Sequence, residues 1–464
     1  MKRLPIIKCL LVAVAYSIAP LFAQSDESAA TWLQELERSR ALLNSVESHT
    51  NHLDAALAEP LMQVGDQLMT LGRHDEAHEM FDRALQIVRI NEGLYARSQL
   101  PYQQKKIANF MRGNNWELAR DNLQHLFWLL RKKSPALDEL LVDDVMQLST
   151  MHLRGVAEDT KDYQYYHLQR AGTALRMAEI VGDRIWADND PSIVPVLYSQ
   201  VKHFHLKASA VQSGSQVAYQ LRTQIPTWSD WTHEKQSALR FYYLSGRRLL
   251  QRIRSVYEQA EPANPEAIAM AELYIADWQV LFGRTTEALQ SYRSAYEKLQ
   301  GADLDPVMVS NFFSQPTLVP EPHFYDTLTE ALDARADRLP VNSELALAAT
   351  SETMYFNEWT SSFPSVRPPI TSNSSRQPES AFALFSFSLA GVTDLARLLN
   401  GKEEDEFAFV TDARIVEPEE KSKDEEKFLL TRLESLRFRP RLQDGVPQES
   451  AATLMYQLAG DVPR

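Results

Sequence analysis

Apolar residues recur at spacings of three and four from Ser28 to about Leu299, the period that lays one apolar stripe along a helix. The pattern is sharpest in LMQVGDQLMTLGRHDEAHEMFDRAL, residues 61–85. With Gly72 as a turn, Val64, Gly65 and Leu68 precede it, and Ala77, Phe81 and Ala84 follow. This spacing predicts two antiparallel helices. Gly65 and Ala77 fall where the helices come closest, and Leu68 and Phe81 fill the space beside them.

Helix starts are marked at Ser134-Pro135, Asp190-Pro191 and Asn264-Pro265, each with a side-chain acceptor at the N-cap and a proline at the first helical position. Thr232 caps the helix beginning HEKQSALRFYYL. A second hairpin is expected at 101–133, with Ile107 and Phe110 before an Asn114 turn and Trp116, Ala119, Leu123 and Leu126 after it. A third is expected at 265–299, where Ile275, Ala276 and Trp278 precede Gly283, and Ala288, Tyr292 and Ala295 follow. Residues 136–260 read as helical hairpins of irregular register. The first hairpin, and more weakly the other two, resembles the tetratricopeptide repeat, whose helical hairpins stack into a superhelical binding surface. The resemblance implies an α-solenoid over 28–300.

Prolines at 306, 316, 320, 322, 340, 364, 368 and 369 break the helical pattern beyond Gly301, and TSNSSRQPES at 371–380 has linker composition. Residues 301–342 are therefore expected as a connector. Beyond it, AFALFSFSL at 381–389 has strand character, Gly391 offers a turn and 392–399 a returning strand. Residues 424–436 read as a helix, 437–442 as a strand, Asp444-Gly445 as a turn, and Ala452, Leu454, Tyr456 and Leu458 as one face of a last strand. This β-β-α-β order, with Arg437-Phe438-Arg439-Pro440 and the terminal alternating strand, resembles the C-terminal domain of TonB-type energy transducers over roughly 85 residues. An acidic insert at 403–426 and a missing Tyr-Pro pair ahead of Ala381 depart from that family's pattern. The expected fold is mainly α: a tetratricopeptide-type solenoid at 28–300, then a small TonB C-terminal-like α/β domain at 343–464.

Composition narrows the function. A net charge of −14 and a pI of about 5.4 exclude a general nucleic-acid binder, which needs a basic stripe to displace phosphate counterions. Residues 1–23 have the layout of a secretory signal peptide, with Lys2, Arg3 and Lys8 ahead of the apolar run Cys9 to Phe22 and cleavage expected after Ala23. The only cysteine, Cys9, would leave with it, and with it any thiol or disulfide chemistry. An uncleaved segment would instead anchor the chain to a membrane.

No phosphate loop, nucleophile elbow or triad is recognisable, and Gly214-Ser215 lacks the second glycine of an elbow. His74, His78 and Asp82 share a helix face at metal-ligand spacing, but the same positions are exposed in a repeat's second helix, so neither metal nor cofactor is expected. His203 and His205, two apart on a helix, read as one core and one surface histidine. The basic cluster Arg247, Arg248, Arg252 and Arg254 is either a solvated helix face or a clamp for a peptide carboxylate. Arg439, Arg441 and Tyr456, on the expected edge strands, are candidates to receive a partner's extended strand.

The expectation is a non-enzymatic protein-binding adaptor without a small-molecule substrate. The resemblances imply the periplasm of a Gram-negative cell. An anchored energy transducer and a hydrolase with a dispersed site are the alternatives. That transducer family carries a serine and, four residues on, a histidine in its membrane helix, whereas Ser17 here is followed at that distance by Leu21.

Overall fold

The computed structural model describes residues 19–132, 137–213, 216–223, 231–336, 353–357, 382–392, 407–417 and 423–457. Residues 393–399 of the returning strand expected at 392–399, the 371–380 linker, the Ser134-Pro135 start, Gly214-Ser215 and most of the signal segment lie outside them, and Thr232, expected as an N-cap, falls within a helix that begins at Trp231. The chain forms two compact units, one ending at Asn115 and one starting at Trp116.

The first unit is helical: α1 (Ala19–Glu47), α2 (Ala58–Thr70), α3 (His74–Glu92) and α4 (Leu100–Arg112). The α2–α3 hairpin has the register read from the sequence. Gly72 turns at φ +72°, and Val64, Leu68, Ala77, Phe81 and Ala84 are all buried. A Cβ on Gly65 would lie 2.6 Å from the Phe81 ring, so only glycine lets the two helices approach this closely. Leu36, Leu57 and Leu61 extend this core beneath the hairpin.

In the second unit, α5 (Trp116–Lys132), α6 (Glu139–Glu158), α7 (Gln164–Ile185), α8 (Val194–Ser213), α9 (Gln216–Thr223), α10 (Trp231–Glu258), α11 (Pro265–Leu281) and α12 (Thr285–Gln300) follow one another. α6 packs on α7, α7 on α8, α8 on α10, α10 on α11 and α11 on α12. Asn264 caps α11 by accepting from Ala267 N–H, with Pro265 at the first position, as its sequence implies. Asp190 does the same for a short 3₁₀ turn leading into α8. His203 is buried and donates to the Leu168 carbonyl, while His205 is half-buried.

The stretch expected as a connector is built structure as far as Ala336. It forms α13 (Pro306–Phe312), β1 (Thr317–Val319) and α14 (Leu328–Ala336), and buries Phe312, Phe313, Leu318 and Leu328. Its prolines interrupt helices without loosening the chain: Phe324 packs on Tyr198, Tyr257 and Tyr274 of α8, α10 and α11, Phe313 on Tyr296 of α12, and Leu318 in the core of the C-terminal strands.

The C-terminal part contributes β2 (Thr353–Asn357), β3 (Phe382–Leu389), β4 (Val410–Glu417), α15 (Lys423–Ser435), β5 (Arg437–Arg439), β6 (Arg441–Gln443), β7 (Val446–Gln448) and β8 (Ser450–Gln457). The larger sheet has the order β2-β8-β3-β4, with β2 parallel to β8 and the other pairs antiparallel. Ala383, Phe385, Phe387 and Leu389 of β3 join Ala452 and Leu454 of β8, Leu429 and Leu433 of α15, and Phe438 in one core. The strand that pairs with β3 is β4, inside the stretch read as an acidic insert. Its Val410, Ala413 and Ile415 all pack on that core, because a register shift at Asp412, at φ +50°, breaks the two-residue alternation between 410 and 413 and hides the strand among its charges. Pro440, which cannot donate to a ladder, splits the strand expected at 437–442 into β5, paired with β1, and β6, paired with β7. Asp444 and Gly445, both at positive φ, turn β6 into β7.

Replacing Ala77 by Arg places a long charged side chain at a fully buried contact in the α2–α3 hairpin. The expected cost is more than about 3 kcal/mol from overpacking and unpaired charge. Denaturant titration measures it, and an unchanged midpoint would contradict this packing.

Candidate functional site

α11 is buried along nearly its whole length from Ala267, and within it Asp277 is a carboxylate with only 3 % of its surface exposed. A charge so placed needs a partner. The partner is Arg439, at the end of β5 and 1 % exposed. Its Nε donates to Asp277 Oδ1 at 3.0 Å and its Nη2 to Oδ2 at 2.5 Å, a two-pronged pair between residues 162 positions apart. Nη2 also lies 3.1 Å from Glu321 Oε1, and the Arg335 guanidinium lies 3.7 Å from the same oxygen. Two carboxylates thus face two guanidiniums. Tyr292 donates to Asp277 Oδ1 at 2.8 Å, and the rings of Phe312 and Tyr274 flank the Arg439 guanidinium.

Electrostatics follow the geometry. Burial acts against the Arg439 charge, but Asp277 and Glu321 outweigh it and hold the guanidinium above its ordinary pKa. Burial pushes Asp277 upward, with Arg439 opposing. The Tyr198, Tyr274 and Tyr292 hydroxyls are driven well up, first by burial and then by the neighbouring carboxylates. All three are neutral donors. Tyr198 donates to the Glu321 carbonyl, Tyr274 to the His323 carbonyl, and the Lys202 ammonium to the Pro322 carbonyl at 2.6 Å. Burial lowers Lys202 to about 7. These bonds tie residues 321–323 to α8 and α11, so the network joins helices, strap and C-terminal strands. It is a lock.

The lock corrects the placement of Arg439. Expected on an exposed edge, it lies in the interior with Nε and Nη2 committed to two carboxylates, while Nη1 has no hydrogen-bond partner among the described residues. Its signal was present in the sequence, as an aspartate in the mainly apolar run Leu273 to Leu281 and an arginine between Phe438 and Pro440. β8 is likewise no edge. It sits between β2 and β3, so the outer strands of the larger sheet are β2 and β4. Tyr456 is paired along the backbone with Ala383 and Phe356, and its side chain lies outside the described residues. Arg441 is exposed on β6.

The arginine cluster of α10 is largely engaged by the chain's own carboxylates. Arg252 bonds Glu179 at 2.9 Å and also Asp183 on α7, while Arg254 bonds Glu272 on α11 at 2.9 Å and Glu258 at 3.1 Å. Arg247 is half-buried and within electrostatic reach of Glu287, whereas Arg248 is exposed. Two of the four, Arg252 and Arg254, therefore bridge α10 to α7 and α11, and Arg247 and Arg248 take no part in those bridges. His74 Nδ1 meets Asn109 Oδ1 at 2.8 Å, and Asp82 is bonded by Lys106. Both are held by α4.

A second buried polar cluster joins α5, α6 and α7. Asp159 accepts from Arg120 at 2.6 Å and from His167 Nε2 at 2.9 Å. That leaves His167 Nδ1 to accept from His152 Nδ1, 3.0 Å away. The Asp159 carboxyl is pushed up by burial, but its bonds from Arg120, His167 and Thr160 N–H outweigh this and hold it below the ordinary value. Burial lowers both histidines, His152 the more, and the charge of one histidine opposes protonation of the other.

In the first unit, a groove of about 360 Å³ opens between α2, the end of α3 and the start of α4. Ala55, Ala58, Met62, Val88, Pro101 and Tyr102 give it apolar walls, and Glu59, Glu92 and Ser98 line the rest. Glu92 accepts from Ser98 Oγ at 2.5 Å, and Glu59 from Gln63 Nε2 at 3.5 Å. The Tyr102 hydroxyl is raised first by burial and then by the charges of Glu59 and Glu92. Sequence reading missed this site, whose residues are scattered over three helices.

No family model matches the chain, and no curated protein matches it. Among solved structures it is similar to one described as the crystal structure of BtubC (BKLC) from P. vanneervenii, at 11 % identity and a TM-score of 0.33, covering 62 % of this chain and 95 % of that one. Likeness at that level carries no functional argument.

Arg439→Met leaves Asp277 and Glu321 buried without their closest counter-charge. It should destabilise the full chain by about 3–5 kcal/mol in urea titration, and a loss under about 1 kcal/mol would show that the pair is not a lock. A second expectation concerns pH. Burial lowers His203 to about 3 and holds His152 well below its ordinary value, so the folded protein keeps both neutral. An unfolded histidine titrates near pH 6.5, so this stability is fully present above that pH and is lost as pH falls below it. Each such group contributes about 1.4 kcal/mol per pH unit. Between pH 6.5 and 5 stability should fall by about 2 kcal/mol on account of His203, with His152 adding in the same direction, and His203→Gln, which retains a donor for Leu168, should make the decline shallower. Equal urea midpoints at both pH values would contradict the assignment.

Proposed function

We propose that this protein is a non-enzymatic adaptor that holds a segment of another protein against the helices of its first unit. The groove walled by Met62, Val88 and Tyr102 carries this reading, since an apolar trough between helices with a few directed polar groups suits an inserted chain segment. The α2–α3 hairpin supports it, with small residues at its closest approach and apolar ones beside them, as in tetratricopeptide repeats. A solenoid of such hairpins, and a TonB-like origin for the β3-β4-α15-β8 part, belong to this proposal. So does a periplasmic place, from the layout of residues 1–23.

In this reading the C-terminal strands are a fixed buttress. An energy transducer works by transmitting motion through its terminal domain, which the buried Arg439 pair opposes. No helix among the described residues is long and apolar enough to cross a membrane.

Affinity purification of the full chain from envelope extracts tests the proposal. A partner should be retained by the wild-type protein, retained by Arg441→Ala, and lost with Met62→Glu/Tyr102→Ala at unchanged far-UV circular dichroism. Equal recovery with the groove variant would overturn it.

A further inference from the structure

The groove in the first unit has a charge character that specifies its occupant. Elsewhere in that unit carboxylates meet cations: Asp66 bonds Lys105 at 2.7 Å, Asp82 bonds Lys106 and Glu47 bonds Arg83. The nine lining residues include two carboxylates and neither lysine nor arginine. Glu59 and Glu92 stand on different helices, α2 and α3, and the hydrogen bonds they accept come from neutral groups, the Gln63 amide and the Ser98 hydroxyl. Both act on the Tyr102 hydroxyl, which they oppose ionising. Two negative charges beside an aromatic ring and an apolar floor complement a cation carried on an alkyl stem. Its methylenes would lie on Met62 and Val88 while its charged head meets the carboxylates and the Tyr102 face.

We propose that the groove recognises a basic segment of a partner protein, in which a lysine or arginine stands among apolar residues. This rests on the segment-binding reading above and adds the partner's chemistry. The overall charge of −14 agrees with it, since an acidic adaptor draws a cationic segment toward it and repels acidic ones. Glu59 and Glu92 are exposed, so neutralising them removes recognition without disturbing the buried core.

Fluorescence anisotropy on the full chain tests the inference, using three labelled peptides of one length built from leucine, alanine and, respectively, lysine, glutamine or glutamate. The lysine peptide should bind at least about tenfold more tightly than the glutamine peptide, with the glutamate peptide weakest. Added salt should weaken the lysine peptide most. Glu59→Gln/Glu92→Gln should bring lysine and glutamine peptides to similar affinity, and should lower the pH at which Tyr102 ionises in difference absorbance. Equal binding of all three peptides would overturn the charge assignment while leaving segment binding standing. Binding of none would overturn both, and displacement of the lysine peptide by an equimolar free polyamine would show a small cationic ligand in place of a peptide.

Discussion

The contact on which the second unit depends is a guanidinium buried against two carboxylates. Arg439 arrives on a three-residue strand and meets Asp277 inside a buried helix and Glu321, which lies between the two in sequence. Each charge alone would be prohibitively costly in this interior, and together they are tolerable only in one geometry. That requirement aligns β5 against α11, positions β1 beside β5, and leaves the β6–β7 turn close to α12, where Gly445 approaches Arg293 and Tyr296. The pair sets arrangement more than it adds stability, because hydrophobic replacement of a whole buried network is often neutral.

This constraint changes the meaning of the C-terminal strands. Strand addition needs unpaired backbone on an accessible edge. β8 spends both edges on β2 and β3, and β5 is paired with β1 and anchored by its last side chain. The recognition proposed above is assigned instead to the first unit, whose helices line a groove of their own. The arginines of α10 are a parallel case. A run of four in an acidic protein invites a ligand, yet Arg252 and Arg254 hold three helices together through internal carboxylates.

Buried polar residues recur through the second unit. The His152–His167–Asp159–Arg120 chain and the Arg439 network lie in different places but share one design, with charged ends satisfied by opposite charge and neutral members supplying single donors. Each is low in tolerance for change of protonation. Acid reaches the first of them through its histidines.

Local features of the sequence determined the elements. Period-3.6 patterning marked the helices, Gly72, Asn264-Pro265 and Asp444-Gly445 set their turns and starts, and the small–apolar alternation of Gly65, Leu68, Ala77 and Phe81 defined a hairpin register, because these depend on neighbours within a few residues. β4 escaped, since its apolar face is short and set among charges. What only tertiary structure decided was partnership: which carboxylate meets Arg439, which strands become edges, and that Glu59, Glu92 and Tyr102 converge on one groove. Side chains from distant segments meet only when the chain folds, and no local periodicity records that a charge 162 residues away will be its neighbour.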